Sequence, residues 1–179
     1  LGHGREGDIP TLRRLEKEMG FWLHSIEPLM IEGEAIRSRS IRMLLGEGSV
    51  DVVHRMLGRA FSLNGVVVTG QKRGKSLGFP TANLSLDHHL ALPGDGVYAT
   101  WATVEGRTYA SATNVGVRPT FGPGPKLVES FLIDFDGDIY GKNLTLEFIH
   151  LLRPEMIFPD VETLIDQMEQ DVEQTRSVL

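Results

Sequence analysis

A succession of short β-rich runs, separated by turn residues, most constrains the fold of this chain. Five such runs follow Gly58, and no helical periodicity lies between them. They cover residues 66–69, 97–104, 108–115, 127–135 and 144–151. Short strands at this spacing predict a mainly β fold, a small antiparallel barrel or sandwich of five or six strands. Glu105-Gly106 and Asp136-Gly137 are predicted to form hairpin turns.

Helical patterns are confined to the two ends of the chain. Asp8, followed by Pro10, predicts a helix start, and two short helices are predicted around residues 40–45 and 50–57. Residues 161–172 carry one apolar stripe, which predicts a C-terminal helix whose acidic residues face water.

The first 58 residues contain one further pattern. Residues 21–31 (FWLHSIEPLMI) predict a strand and its exit. A helix, one strand and two more helices form half of an α/β domain. We therefore predict two domains, a partial α/β segment at 1–58 and a β-barrel with a C-terminal helix at 59–179.

Composition narrows the function classes. The net charge of −6 and the lack of a basic stripe argue against nucleic acid as the main partner. No apolar run reaches the roughly 20 residues of a membrane helix, so no membrane partner is expected. The absence of cysteine fits a reducing cytoplasm. The start at Leu1, in loop-like sequence, suggests a piece of a longer protein.

A glycine-rich segment follows the first predicted strand. Gly70 and the run Gly74-Lys75-Ser76 are one residue short of a phosphate-binding loop. Gly78 and Pro80 follow too soon for the helix that such a loop opens, and the proline makes Phe79 extended. We therefore expect a loop whose glycines let the backbone wrap around a ligand.

Thr81 and Asn83 follow this loop. In an extended chain the two side chains point to the same side, about 7 Å apart, with Ala82 opposite. Neutral oxygen ligands beside phosphates suit Mg²⁺, which completes its shell from phosphates and water. The alternative is a β-turn held by the Thr and Asn side chains.

Glu129 lies in a predicted strand. With a period of two, it shares a face with apolar residues (Leu127, Phe131, Ile133 and Phe135). Partial removal from water makes a carboxylate a better proton acceptor, as a general base requires. The alternative is a solvated position at the rim of the strand.

Two further segments are candidates. Residues 114–121 (NVGVRPTF) form a polar, glycine-bearing loop that either covers a site or turns the chain. Arg153 closes the last strand, where it either meets an anion or pairs with a carboxylate.

Taken in order, these motifs resemble the prokaryotic bifunctional riboflavin kinase/FMN adenylyltransferase (FAD synthetase) family, over essentially the whole chain. The matching stretches are LGR (57–59), GFPTAN (78–83), LPGDGVYA (92–99), NVGVRPTF (114–121), VESFLIDFDGDIYGK (128–142) and LLRPE (151–155). The resemblance implies a six-stranded antiparallel Greek-key barrel with a C-terminal helix, preceded by part of an α/β nucleotidyltransferase domain.

The resemblance also implies an activity, the transfer of the ATP γ-phosphate to the 5′-hydroxyl of riboflavin, giving FMN. Glu129 is implied as the catalytic base, and Thr81 and Asn83 as ligands of Mg²⁺. The residues implied to bind ATP are Gly70, Lys75, Gly78, Phe79, Pro80, Thr81 and Asn83. Those implied on the flavin side are Asn114, Arg118 and Arg153.

The chain departs from the family pattern in three places. Lys75 stands where an arginine is expected, and Arg39 interrupts the second nucleotide motif of the adenylyltransferase domain, at residues 36–42. The H-x-G-H signature of that domain is absent from the sequence. FMN adenylyltransferase activity is therefore expected only in a longer parent chain.

Two other functions compete with a kinase. A non-catalytic flavin- or nucleotide-binding barrel would need the loop but no catalytic base, so Glu129 argues against it. A nucleic-acid-binding barrel disagrees with the charge of the chain.

Overall fold

The computed structural model describes Gly4 and residues 6–31, 33–70, 77–87, 89–117 and 126–179. The chain forms two compact units, residues 1–36 and 37–179. The predicted domain boundary at Gly58 stays a prediction. None of the helices in the described ranges is long and apolar enough to cross a lipid bilayer.

In the first unit, helix α1 spans Ile9–Met19. Its start is as predicted: an Asp8 oxygen accepts a hydrogen bond from the Thr11 backbone N–H at 2.8 Å, which lowers the pKa of Asp8. Strands β1 (Met30–Ile31) and β2 (Glu34–Ala35) pair with each other.

The strand predicted at 21–31 is wrong except at its last two residues. Its aromatic and branched residues favour a strand locally, but most of them are solvent-exposed. A strand needs a partner and a surface to cover, and in the described part of this unit only a two-residue pairing forms.

The second unit is built around a closed six-stranded antiparallel barrel with the strand order β3-β4-β7-β6-β5-β8. The strands are β3 (Phe61–Val68), β4 (Ala82–Ser85), β5 (Gly96–Val104), β6 (Arg107–Gly116), β7 (Leu127–Leu132) and β8 (Asn143–Arg153). Strands β5, β6 and β7 are consecutive neighbours, and β8 returns beside β5. This order is a Greek key, which confirms the predicted six-stranded antiparallel barrel.

One of the two predicted hairpin turns is confirmed. Glu105 and Gly106 join β5 to β6 with φ angles of 48° and 77°, the left-handed geometry of the turn that suits a two-residue hairpin. The turn at Asp136-Gly137 is wrong as a hairpin, because β7 and β8 are not neighbours in the barrel. Strand β7 also ends at Leu132 rather than Phe135, since Asp134 adopts a left-handed φ of 58°.

The core continues from the barrel into two helices. Helices α2 (Ser38–Gly46) and α3 (Val50–Leu57) place Leu45, Val50 and Val53 in one buried cluster with the interior of the barrel. Tyr98 is fully buried in this cluster, and its hydroxyl donates to the Gly94 carbonyl oxygen at 2.7 Å. Burial raises the pKa of Tyr98 to about 12, so the hydroxyl remains a donor.

Helix α4 (Val161–Val178) follows the last strand and packs on β5, β6 and β8. The C-terminal helix is therefore confirmed. The expectation that its acidic residues all face water is wrong for Asp171, which is among the most buried residues of the helix.

A chain of four buried hydroxyl groups crosses the barrel interior. Thr100 Oγ1 lies 2.6 Å from both Ser111 Oγ and Thr113 Oγ1, and Thr113 donates to Ser130 Oγ at 2.9 Å. All four residues are fully buried. Because a buried hydroxyl without a partner is costly, this network specifies how β5, β6 and β7 meet.

We predict that Thr113→Val lowers the free energy of unfolding by about 1–3 kcal/mol. Valine has nearly the same shape as threonine but no hydroxyl, so the Thr100 and Ser130 hydroxyls lose the partner that they share. Urea denaturation measures the change. The control is Thr103→Val, which removes an accessible hydroxyl paired with Thr108 at 2.9 Å and should stay within about 0.5 kcal/mol of the wild type. Equal losses in both variants would contradict a special role for the buried network.

Candidate active site

The strand register brings three predicted site residues together. Glu129 on β7 is opposite Asn83 on β4 and opposite Asn114 on β6. Directly opposed residues of antiparallel strands share a face, with Cβ atoms about 4.5–5.5 Å apart. We call these three residues the polar row. The site thus has a carboxylate between two amides, all half-buried.

The polar row lies on the outer face of the barrel. Along β7 the buried residues are Val128, Ser130 and Leu132, so Glu129 points to the other side. The predicted apolar neighbours Leu127 and Phe131 do share its face. Ile133 and Phe135 do not continue the row, because the strand has ended.

Thr81 and Asn83 lie on either side of a buried Ala82. Asn83 is in strand β4, which the sequence did not predict as a strand, and Thr81 immediately precedes it. Burial of Ala82 with half-exposed Thr81 and Asn83 agrees with side chains on one side. The Asn83 amide nitrogen lies 3.5 Å from the Thr81 carbonyl oxygen. Its amide oxygen is the atom suited to a metal ion.

A cavity of about 330 Å³ adjoins Asn83 at this end of the barrel. Its lining residues are Val68, Thr69, Gly70, Asn83, Leu84, Leu127 and Val128. The Gly70 backbone lies close to Asn83, because a Cβ atom at Gly70 would overlap the Asn83 side-chain amide and displace it. Gly78 has a left-handed φ of 88°, which favours glycine.

The other residues predicted to form the site do not all lie beside the polar row. Phe79 packs its ring edge-on against Phe131, with centroids 5.2 Å apart. Asn114 lies within β6 rather than in a loop. Lys75 and Arg118 lie outside the described residues, with most of the two loops that carry them.

Arg153 is paired with a carboxylate that the sequence analysis missed. Its Nε and Nη2 atoms donate to Asp171 Oδ1 and Oδ2 at 2.9 and 2.8 Å. The helical spacing of the sequence could have identified Asp171. It lies seven residues after Leu164 and four before Thr175, and this spacing places it on the face of the helix that packs inward. Of the two readings of Arg153, the structure favours the pairing.

Comparison with known proteins identifies the family of this chain. The sequence model of a family described as "Flavokinase: Riboflavin kinase" matches residues 57–179. This chain belongs to the riboflavin kinase family. Its matched region contains all six barrel strands and the C-terminal helix, and therefore the whole polar row.

Curated relatives match this riboflavin kinase family member over most of its length. The bifunctional riboflavin kinase/FMN adenylyltransferase of Haemophilus influenzae is 33% identical over 99% of this chain and 58% of its own length. The protein of the same name from Bacillus subtilis is 36% identical over 82% of this chain and 47% of its own. The chain thus spans about half the length of these relatives.

Two crystal structures share the fold. The riboflavin kinase of Trypanosoma brucei has a TM-score of 0.50 and 27% identity, over 65% of this chain and 77% of its own. A structure titled macrolide-efflux protein, from Streptococcus pneumoniae, has a TM-score of 0.78 and 33% identity, over 84% of this chain and 50% of its own.

We predict that Gly70→Ala displaces the Asn83 side chain and lowers the free energy of unfolding by about 1–3 kcal/mol, since an added methyl group meets the amide. The side-chain amide NMR signal of Asn83 and a denaturation curve measure both effects. Gly46→Ala is the matched control, because a Cβ atom at Gly46 contacts nothing. An unmoved Asn83 signal in Gly70→Ala would contradict the prediction.

Proposed function

We propose that this chain is an ATP-dependent riboflavin kinase, which transfers the γ-phosphate of ATP to the 5′-hydroxyl of riboflavin and releases FMN and ADP. The observation that carries the proposal is the polar row, in which Glu129 lies between Asn83 and Asn114 on a barrel of this family. A site that only bound flavin or nucleotide would not need a carboxylate at this position.

Glu129 is the proposed catalytic base. It accepts the proton of the riboflavin 5′-hydroxyl as that oxygen forms its bond to the γ-phosphorus and the bond to the ADP oxygen breaks. Its half-buried position between two amides favours this role, because the strand register holds the carboxylate in line with both of them. Phosphoryl transfer depends mainly on such positioning.

The nucleotide is proposed to bind on the side of the polar row that holds the cavity. Gly70 and Asn83 line that cavity, and Gly78, Phe79, Pro80 and Thr81 connect to it along the chain. Val68 is partly exposed at the end of β3 and lines the same cavity. Lys75 is proposed to add positive charge near the phosphates.

The donor set fits Mg²⁺ bound through its nucleotide. Thr81 and Asn83 offer neutral oxygens on one side of the chain, and such a partial set suits an ion that keeps phosphate and water ligands. Within the described ranges, no three His, Asp or Glu residues cluster as a complete metal site. When bound, Mg²⁺ would neutralise phosphate charge, and Thr81 and Asn83 would hold it.

Riboflavin is proposed to bind on the opposite side of Glu129, near Asn114. Arg118, four residues after Asn114 in the sequence, is also proposed to bind the flavin. We further propose that residues 1–58 are the end of an adenylyltransferase domain, that FAD synthesis requires a longer chain, and that the protein acts in the cytoplasm.

Replacing the proposed base gives the sharpest test. Glu129→Gln is expected to lower kcat by about a hundredfold or more, on the scale of a lost general base, with KM for ATP nearly unchanged. Steady-state kinetics of FMN formation measure this. Glu147→Gln is the control, since Glu147 is exposed on β8 in register with Ser62 and Trp101, and it should retain activity. Full turnover in Glu129→Gln would remove Glu129 from the mechanism.

The products distinguish the candidate functions. Incubation with riboflavin, ATP and Mg²⁺, followed by chromatography, is expected to give FMN without FAD. Appearance of FAD would mean that this chain also transfers adenylyl groups. Bound riboflavin or nucleotide without either product would support the non-catalytic binding barrel.

A further inference from the structure

A second polar feature lies where the last barrel strand meets the C-terminal helix. Arg153 on β8 and Asp171 on α4 form a two-point ion pair, with side-chain exposures of only 14% and 5%. Gln167 donates a further hydrogen bond to Asp171 Oδ1 at 3.1 Å. Arg153 Nη1 donates to the Pro154 carbonyl oxygen at 3.2 Å. The pair therefore joins the end of the last barrel strand to the middle of the C-terminal helix.

The register connects this pair to the proposed base. Arg153 is opposite Val97 on β5, Val97 is opposite Asn114 on β6, and Asn114 is opposite Glu129. Arg153 is thus two strands from Asn114 and three from Glu129, counted around the barrel through β5. The cavity at Gly70 and Asn83 lies on the other side of Glu129. Arg153 and Asp171 therefore belong to the side of the row away from the cavity.

The pair also directs the chain between β8 and α4. The Arg153 guanidinium lies 5.6 Å from the centre of the Phe158 ring, and its remaining bond is to Pro154. One arginine thereby contacts the strand exit, the connecting segment and the helix. Buried ion pairs add little net stability over apolar packing, but a two-point arginine–carboxylate pair adds geometric specificity.

We propose that Arg153 and Asp171 are positioning residues for the flavin side of the site. The pair sets the placement of α4 against β5 and β6, and thereby the wall next to Asn114 where riboflavin would lie. Arg153 acts through Asp171 rather than by contact with the substrate. This inference rests on the proposed function, and it predicts an effect on riboflavin that ATP does not share.

The same helix provides a matched control. Arg176 and Asp134 form a second two-point pair, at 2.8 Å for both bonds, near the end of α4. This pair is solvent-exposed, at 45% and 72%, and Asp134 lies beyond the last residue of β7. Asp134→Asn therefore removes an ion pair of the same helix that is exposed and does not involve Arg153 or Asp171.

The test compares Asp171→Asn, the apolar double variant R153M/D171L and the control Asp134→Asn. Asp171→Asn is expected to raise KM for riboflavin about tenfold and to leave KM for ATP within about twofold, as displaced positioning groups do. The double variant should regain stability, because it removes both buried charges, while KM for riboflavin stays raised. Asp134→Asn should change neither constant.

Several results would overturn the proposal. In the first, the double variant regains stability and its KM for riboflavin returns to the wild-type value, which would show a purely structural role for the pair. Another is an equal rise of both KM values in Asp171→Asn. A third is the same riboflavin effect in Asp134→Asn.

Riboflavin binding, followed by its fluorescence, separates this proposal from the proposed function. If the wild type binds riboflavin without turnover, the kinase proposal fails, and the Kd for riboflavin then tests the positioning proposal. Binding about tenfold weaker in Asp171→Asn and in the double variant supports the positioning proposal. Unchanged binding in these variants overturns it. If the wild type does not bind riboflavin, both proposals fail.

Discussion

The hydrogen-bond register of the closed barrel is the constraint on which the candidate site depends. Asn83, Glu129 and Asn114 come from three strands and meet only because β4, β7 and β6 pair at these positions. A slip of one residue would move each side chain to the opposite face of its strand. Closure removes that freedom, because each strand has two neighbours, and the buried hydroxyl chain on β5, β6 and β7 favours a single pairing.

Much of the fold could be predicted because its signals are local. Turn chemistry marked Glu105-Gly106, and alternation marked the long strands. The errors have a common origin in tertiary context. Strand β4 is too short for a periodic signal and forms because β3 and β7 pair with it. Residues 21–29 have strand-forming side chains without the sheet that would order them, and Asp136-Gly137 connects strands that are not neighbours.

The site was predictable to a different extent. The residue types at Thr81, Asn83 and Glu129 indicate metal and proton chemistry, but only the fold shows that Asn83, Glu129 and Asn114 adjoin one another. Arg153 had two readings, because an arginine at a strand end suits an anion as well as a carboxylate. Asp171 resolves that choice, and it was missed because an acidic residue on an amphipathic helix is normally assigned to its solvated face.

Helices α2 and α3 contribute to the hydrophobic core of the barrel and therefore to its minimal folding unit. The family match begins at residue 57, yet Leu45, Val50 and Val53 are almost fully buried in the same cluster as the barrel interior. A chain trimmed to the matched region would uncover the apolar surface that these three side chains now shield. The stretch of sequence that identifies the family is therefore shorter than the stretch that completes its core.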